Sequence, residues 1–399
     1  MPTSSSPTAH RRPLKLAANA LAGFLTLALA GCGSSTGTSG GAADETVTIG
    51  VSTPLTGHLA INNEPAEGLA AYADYINEQG GVEGRRIELK TVDNQGTVAG
   101  GASSARTILA DNPFAICVLT TPAFTGAQTV LRTAPDTPAL VLANGAAIKA
   151  SDLPNVFGMY TDYTTESFAG IKYLTELGGK KIALVYDPTI VGEAGDAETD
   201  YAKSVDAELV SMINVPPTTT NYTPIIQQLK NAGADGVELQ VGVQAIAGIL
   251  KAAKEAGLNA EMMTYSSMLD SSTLAVAGDA AEGLYVTGLF PQLSASTDQL
   301  QEFNRVTSGD THANTALGLI GWNAGMLITA AVKEALKDGG SLTPTSFQEA
   351  LTSLGGSPGG VLPEIGWTPE SHSAIDGGSP DVYTLYQVRN GAFTETQRP

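Results

Sequence analysis

From Val47 to Gly257 the chain repeats one local grammar: a short run of consecutive apolar residues, a glycine or proline turn, and then a longer stretch with apolar residues at helical spacing. Val47-Thr48-Ile49-Gly50-Val51 is closed by Pro54 and Gly57, and Ala66, Leu69, Ala70, Ala73 and Ile76 follow at helical spacing until Gly80-Gly81. The pattern predicts further strands over 86–92, 115–119 and 139–142 and helices over 102–111 and 126–133. A second series starts near Asp162, with helices over 167–177, 197–207, 222–232 and 245–256 and strands over 181–186, 209–215 and 236–241. Strands that are apolar throughout bury both faces, and intervening helices supply the cover, so the chain is constrained to parallel sheets in an α/β fold.

Beyond Gly257 the regularity stops. Residues 284–287 read as a strand, 316–336 as a long apolar helix and 347–354 as a shorter one. Near the end, Gly366-Trp367-Thr368 and residues 382–388 alternate as antiparallel strands do.

The first 31 residues have a different character. Arg11, Arg12 and Lys15 form a basic front to the apolar core Leu16–Ala30, which has the length of an export signal and is short for a permanent span. Leu29-Ala30-Gly31-Cys32 resembles the bacterial lipobox, whose cysteine is acylated and becomes the new N-terminus. Two lipid chains on one residue suffice for stable anchoring. Residues 32–44 are mostly Gly, Ser, Thr and Ala, the composition of a flexible linker. Both the general and the twin-arginine export routes stay open. Within the linker Gly33-Ser34-Ser35-Thr36-Gly37 matches the nucleophile-elbow spacing, but it lacks the strand and helix that this motif needs.

Removing residues 1–31 leaves 368 residues, enough for two lobes. It also takes away three basic residues and no acidic one, so 18 basic side chains remain against 40 acidic ones, a net charge of −22. Such a surface repels nucleic acid and anionic lipid, so the membrane contact falls to the lipid on Cys32. Cys117 is then left without a disulfide partner, in the apolar run 114–119 where a buried thiol is expected. His10, His58, His312 and His372 form no metal-ligand spacing, and no phosphate-binding glycine motif is present, so neither an enzyme nor a cofactor is expected.

The run 47–57 (VTIGVSTPLTG), the segment 76–89 (INEQGGVEGRRIEL) followed by Asp93, and then 180–187, Gly233-Ala234-Asp235, Ala256-Gly257-Leu258 and 278–283 resemble, in order, the substrate-binding proteins of bacterial ABC importers. The similarity is to the leucine/isoleucine/valine-binding branch of the type 1 periplasmic-binding fold. It implies two Rossmann-like lobes with parallel central sheets joined by a three-segment hinge, with lobe 1 over 45–160 plus 291–356 and lobe 2 over 161–290 plus 357–399. Crossings are expected near 159–162, 287–292 and 355–360. The implied function is capture of a small polar or carboxylate-bearing molecule in the interlobe cleft and its delivery to permease subunits. A lipid-anchored sensor would have the same fold and cleft.

The resemblance also assigns cleft positions. A ligand carboxylate is expected at Thr120 and Thr121 and at Asn144, Gly145 and Ala147, where Ala147 stands in place of a hydroxyl. Thr120 and Thr121 could equally cap the following helix. In lobe 2, Ser266 falls where α-amino-acid binders carry an acid, and Val191 and Gly242 fall where aromatics are common. The substitutions imply an organic or aromatic acid, an amide or an amino-acid derivative, with branched-chain amino acids as the alternative. Asp162 either receives a donor from the ligand or fixes the hinge, and Ile61, Asn62 and Tyr163 are further cleft candidates. Trp322 and Trp367 read as core residues. Replacing Cys32 by Ser should move the protein from the membrane pellet to the soluble fraction on cell fractionation; retention at the wild-type level overturns the lipid anchor.

Overall fold

Apolar strands that need cover on both faces assemble here into two sheets. The structure is a computed structural model that describes residues 46–57, 59–143, 145–160, 162–289, 293, 297–356, 367 and 383–396. Cys32 and the export and linker segments lie outside the described residues, as do Gly366 and Thr368.

The first sheet contains β1 (Val47–Thr53), β2 (Ile87–Asp93), β3 (Ala115–Leu119), β4 (Ala139–Leu142) and β5 (Val156–Gly158), all parallel in the order β2-β1-β3-β4-β5. The second contains β6 (Lys181–Tyr186), β7 (Glu208–Asn214), β8 (Gly236–Gln240), β9 (Glu261–Thr264), β10 (Tyr285–Gly288), β11 (Thr384–Arg389) and β12 (Ala392–Thr396). Its order is β12-β11-β10-β9-β8-β6-β7, parallel from β7 to β10 and antiparallel through β11 and β12. Strands β3 and β8 are buried at every residue, as expected of central parallel strands.

Helices α1 (Glu64–Glu78), α2 (Val98–Leu109), α3 (Thr121–Leu131) and α4 (Gly145–Ser151) connect the first sheet. The second carries α5 (Tyr163–Glu176), α6 (Pro188–Val191), α7 (Asp196–Ser204), α8 (Thr223–Ala232), α9 (Val243–Ala256) and α10 (Ser271–Ala277). Then come α11 (Asp298–Val306), α12 (Ala316–Leu336) and α13 (Pro344–Leu354), whose apolar faces pack into lobe 1. Several helices, among them α2 and α3, begin earlier than their periodicity implies. Thr97 caps α2 through its hydroxyl, which accepts from Gly100 N at 3.0 Å, and Pro122 fits the first turn of α3, where its missing N–H costs nothing. Helix α12 is long and apolar enough to cross a membrane, yet most of it is buried inside lobe 1.

The chain passes between the two layers after β5, after β10 and after α13; residues 161, 290–292 and 357–366 on these passages lie outside the described residues. Tyr160, Leu289 and Tyr383, which flank the passages, share one buried cluster with Ile320, and half-buried Leu142 and Leu317 pack against it. Both layers thus belong to one compact unit. Trp322 sits edge-on to Tyr72 and beside Phe303. Trp367 lies edge-on to Phe157 and donates its indole N–H to the Gly158 carbonyl at 3.0 Å. Both tryptophans therefore pack in the core.

Helices α1 and α12 cross almost backbone to backbone. A β-carbon on Gly321 would stand 1.7 Å from the Pro65 carbonyl oxygen, and one on Gly68 would stand 1.8 Å from that of Gly318. Neither obstacle is a flexible side-chain end, so the helices would have to separate. Gly321→Ala should therefore destabilise the fold by about 1–3 kcal/mol. Gly242→Ala, where the nearest atom to an added methyl is 3.9 Å away, should stay within about 0.5 kcal/mol. Denaturant titration of the two variants checks the contrast, and equal losses contradict it.

Candidate functional site

Parallel connections bring the loops that follow the strands to one end of each sheet, and in α/β folds ligands bind at that end. In lobe 1, the loop after β3 carries Thr120 at the N-cap of α3, with φ of +81°. Holding a threonine there costs about 1–3 kcal/mol, a cost met chiefly at functional positions. Its hydroxyl oxygen is buried without a hydrogen-bond partner among the described residues. Thr120 therefore does not cap α3 with its side chain. Thr121 opens that helix and is half-buried.

After β4, Gly145 begins α4 and lies against lobe 2: a β-carbon there would stand 2.8 Å from the Asp162 backbone N and the same distance from its Cβ. Asn144 lies outside the described residues, and Ala147 is half-buried against the lobe 1 core. Asn62 is half-buried in the turn after β1, where only the backbone of Ile61 is described. The apolar floor of this side includes Leu119 and Leu142, and Leu142 also touches the cluster that bridges the passages.

In lobe 2, Asp162 caps α5. Its Oδ1 accepts from Thr165 N at 2.8 Å and its Oδ2 from the Thr165 hydroxyl at 2.9 Å. Of the two roles open to this residue, the hydrogen bonds favour the structural one. Tyr163 of α5 and Ile190 are partly buried and pack against the cluster of Leu184, Tyr186 and Val191. Space does remain at Gly242, the N-cap of α9.

Ser266 is almost fully buried, and its polar groups are engaged. Its N–H donates to Glu166 Oε1, and its hydroxyl is 3.0 Å from that of Tyr160, which is also 2.7 Å from the Ser267 hydroxyl. Rings of Tyr160, Tyr163 and Tyr265 meet edge to face, with centroids 5.9 and 5.6 Å apart. Burial pushes the phenols of all three up, with Glu166 adding to the effect, so they stay neutral hydrogen-bonding groups at physiological pH. Tyr160, Tyr265, Ser267 and Glu166 were not among the sequence-derived candidates. The Tyr-x-x-Tyr spacing of Tyr160 and Tyr163 is the one local signal that could have drawn attention to them.

A separate open groove of about 970 Å³ runs between the lobes, lined among others by Leu269, Asp270 and Leu274 on one side and Asn304, Asn314 and Thr315 on the other. None of the sequence-derived candidates lines it.

Two α/β lobes joined by three passages thus gather hydroxyls and helix starts at the strand ends. Residues 46–392 match the Periplasmic binding protein family, and the chain belongs to it. It is 27% identical over 246 residues, 60% of this chain and 67% of the relative, to Leu/Ile/Val-binding protein homolog 3 of Brucella melitensis. The fold is shared with a branched-chain amino acid ABC transporter protein from Thermus thermophilus with bound valine, at 20% identity and a TM-score of 0.74, covering 89% of this chain and 96% of that one. It is also shared with a solute-binding protein from R. palustris in complex with benzoate, at 16% identity and a TM-score of 0.68, covering 88% and 95%. By family the chain is thus a periplasmic, extracytoplasmic binding protein, a family of binders rather than enzymes.

Tyr160→Phe removes a hydroxyl that contacts both Ser266 and Ser267 and should cost about 1–2 kcal/mol. Thermal unfolding measures it, and an unchanged midpoint shows that the contacts carry no net stability.

Proposed function

We propose that the protein captures a molecule with a carboxylate or other polar end and a neutral, partly apolar remainder, and delivers it to the permease of an ABC importer while tethered through acylated Cys32. An organic or aromatic acid, an amide or an amino-acid derivative fits this description. The polar end is assigned to the Thr120–Thr121 loop and Gly145, and the remainder to the wall of Tyr163, Val191 and Gly242.

The observation that carries the cargo class is Ser266. It is uncharged where amino-acid binders of the family carry an acid, and the protein already uses its N–H and hydroxyl. An ammonium group buried there without a carboxylate partner costs several kcal/mol. The strained Thr120, with its buried unpartnered hydroxyl, supports the polar end. A branched-chain amino acid is the second reading, favoured by the Brucella relative and by the presence of Glu166 behind Ser266.

The test uses protein unfolded and refolded to strip captured ligand, then screened by thermal shift against aromatic acids, aliphatic acids, amides and Leu, Ile and Val. The expected result is that a non-amino acid carboxylate raises Tm most, and that Thr121→Ala weakens its binding about tenfold, equivalent to about 1.4 kcal/mol. A branched-chain amino acid that stabilises most, with its effect lost in Thr121→Ala, overturns the cargo class in favour of the second reading.

A further inference from the structure

Two carboxyl groups lie fully inside lobe 2, and ligand capture as described above uses neither. Glu166 stands in the first turn of α5 and Glu238 in the middle of β8; they are 0% and 1% exposed. The side of α5 at Gly170, one turn beyond Glu166, faces the Glu238 carboxyl so closely that a β-carbon there would stand 2.4 Å from Glu238 Cδ. The two acids are thereby brought to neighbouring positions along one helix face.

Each has one served oxygen and one orphan. Glu166 Oε1 accepts from Ser266 N and, at 3.0 Å, from the Thr287 hydroxyl on β10. Glu238 Oε1 accepts from Gln240 Nε2 at 3.2 Å. The Oε2 atoms of both are buried without a hydrogen-bond partner among the described residues. The other ionisable groups acting on the pair are acids or phenols: Asp162 on α5 and Glu198 on α7, with Tyr160, Tyr163 and Tyr265 nearby. No lysine, arginine or histidine among the described residues is recorded as acting on either carboxyl. Two anions so placed, without a cation, are far more costly than one anion and one neutral acid.

We propose that the Glu166–Glu238 pair is incompletely ionised at neutral pH, and that this protonation state positions the Ser266–Ser267 wall of the cleft against the hinge. Glu166 links that wall to β10, the last strand before the second passage, and Ser266 and Ser267 are linked in turn to Tyr160 at the first passage. Ionisation of Glu166 puts an anion into this buried three-way junction, and the wall repacks. Both residues are positioning residues, with no ligand contact assigned to them.

The pH direction follows from linkage. Burial, the largest cause, pushes Glu166 from its ordinary 4.5 up to about 7, and burial together with the Glu166 charge drives Glu238 well above that ordinary value. The folded protein therefore keeps protons that the unfolded chain has released, and stability falls as pH rises through about 7.

The experiment is performed on ligand-stripped full-length protein. Infrared spectroscopy at neutral pH should show a protonated-carboxyl carbonyl band in the wild type that is weakened in Glu238→Gln. The thermal midpoint should fall by about 2–4 °C between about pH 6 and pH 8.5, and the near-ultraviolet tyrosine signal should change with the same pH midpoint. Glu166→Gln should flatten both profiles, because burial of Glu166 itself sets the transition. Absence of the infrared band in the wild type, which needs no variant, overturns the proposal, as does a tyrosine signal that stays constant while the band titrates. Because no ligand is used, failure here is distinct from failure of the cargo assignment.

Discussion

A parallel strand apolar on both faces cannot end beside its neighbour; the chain must leave the sheet, cover one face with a helix, and return to the starting edge. That constraint governs this protein twice. It sends the loops after β3 and β4 to one end of lobe 1 and the loops after β6, β8 and β9 to one end of lobe 2. Thr121, Gly145, Val191, Gly242 and Ser266 owe their positions to that geometry before any ligand is considered. The contact between Gly145 and Asp162 shows the two ends facing each other.

Much of this was legible in the sequence because burial on both faces leaves a periodic trace. Strands such as β3 and β6 read as largely continuous apolar runs, and α12 begins and ends at the residues its pattern implies. Elements that lack the trace were not readable. Strand β12 is largely exposed and polar, β5 has three residues, and α11 offers little beyond Leu300 and Phe303 to mark a face. The lobe 2 wall was hidden for another reason. Ser266 and Glu166 are 100 residues apart in sequence and meet only because α5 packs under β9 and β10, so no local spacing announces the bond.

The wall also shows how an aromatic surface and a set of carboxyls coexist. Tyr160, Tyr163 and Tyr265 shield the acids from water, and the same exclusion of water raises the pKa of phenols and carboxyls alike. Its hydroxyls are largely committed to one another, which leaves shape and a few neutral dipoles as the means of discrimination. Lobe 1 offers the opposite: a strained threonine, an idle hydroxyl and the start of a helix. The two sides are chemically unequal.

The glycine crossing of α1 and α12 has a mechanical meaning. Where backbones touch with no side-chain layer between them, there is nothing soft to compress, and close-packed interiors transmit strain rather than absorb it. Lobe 1 behaves as a stiff plate across that seam.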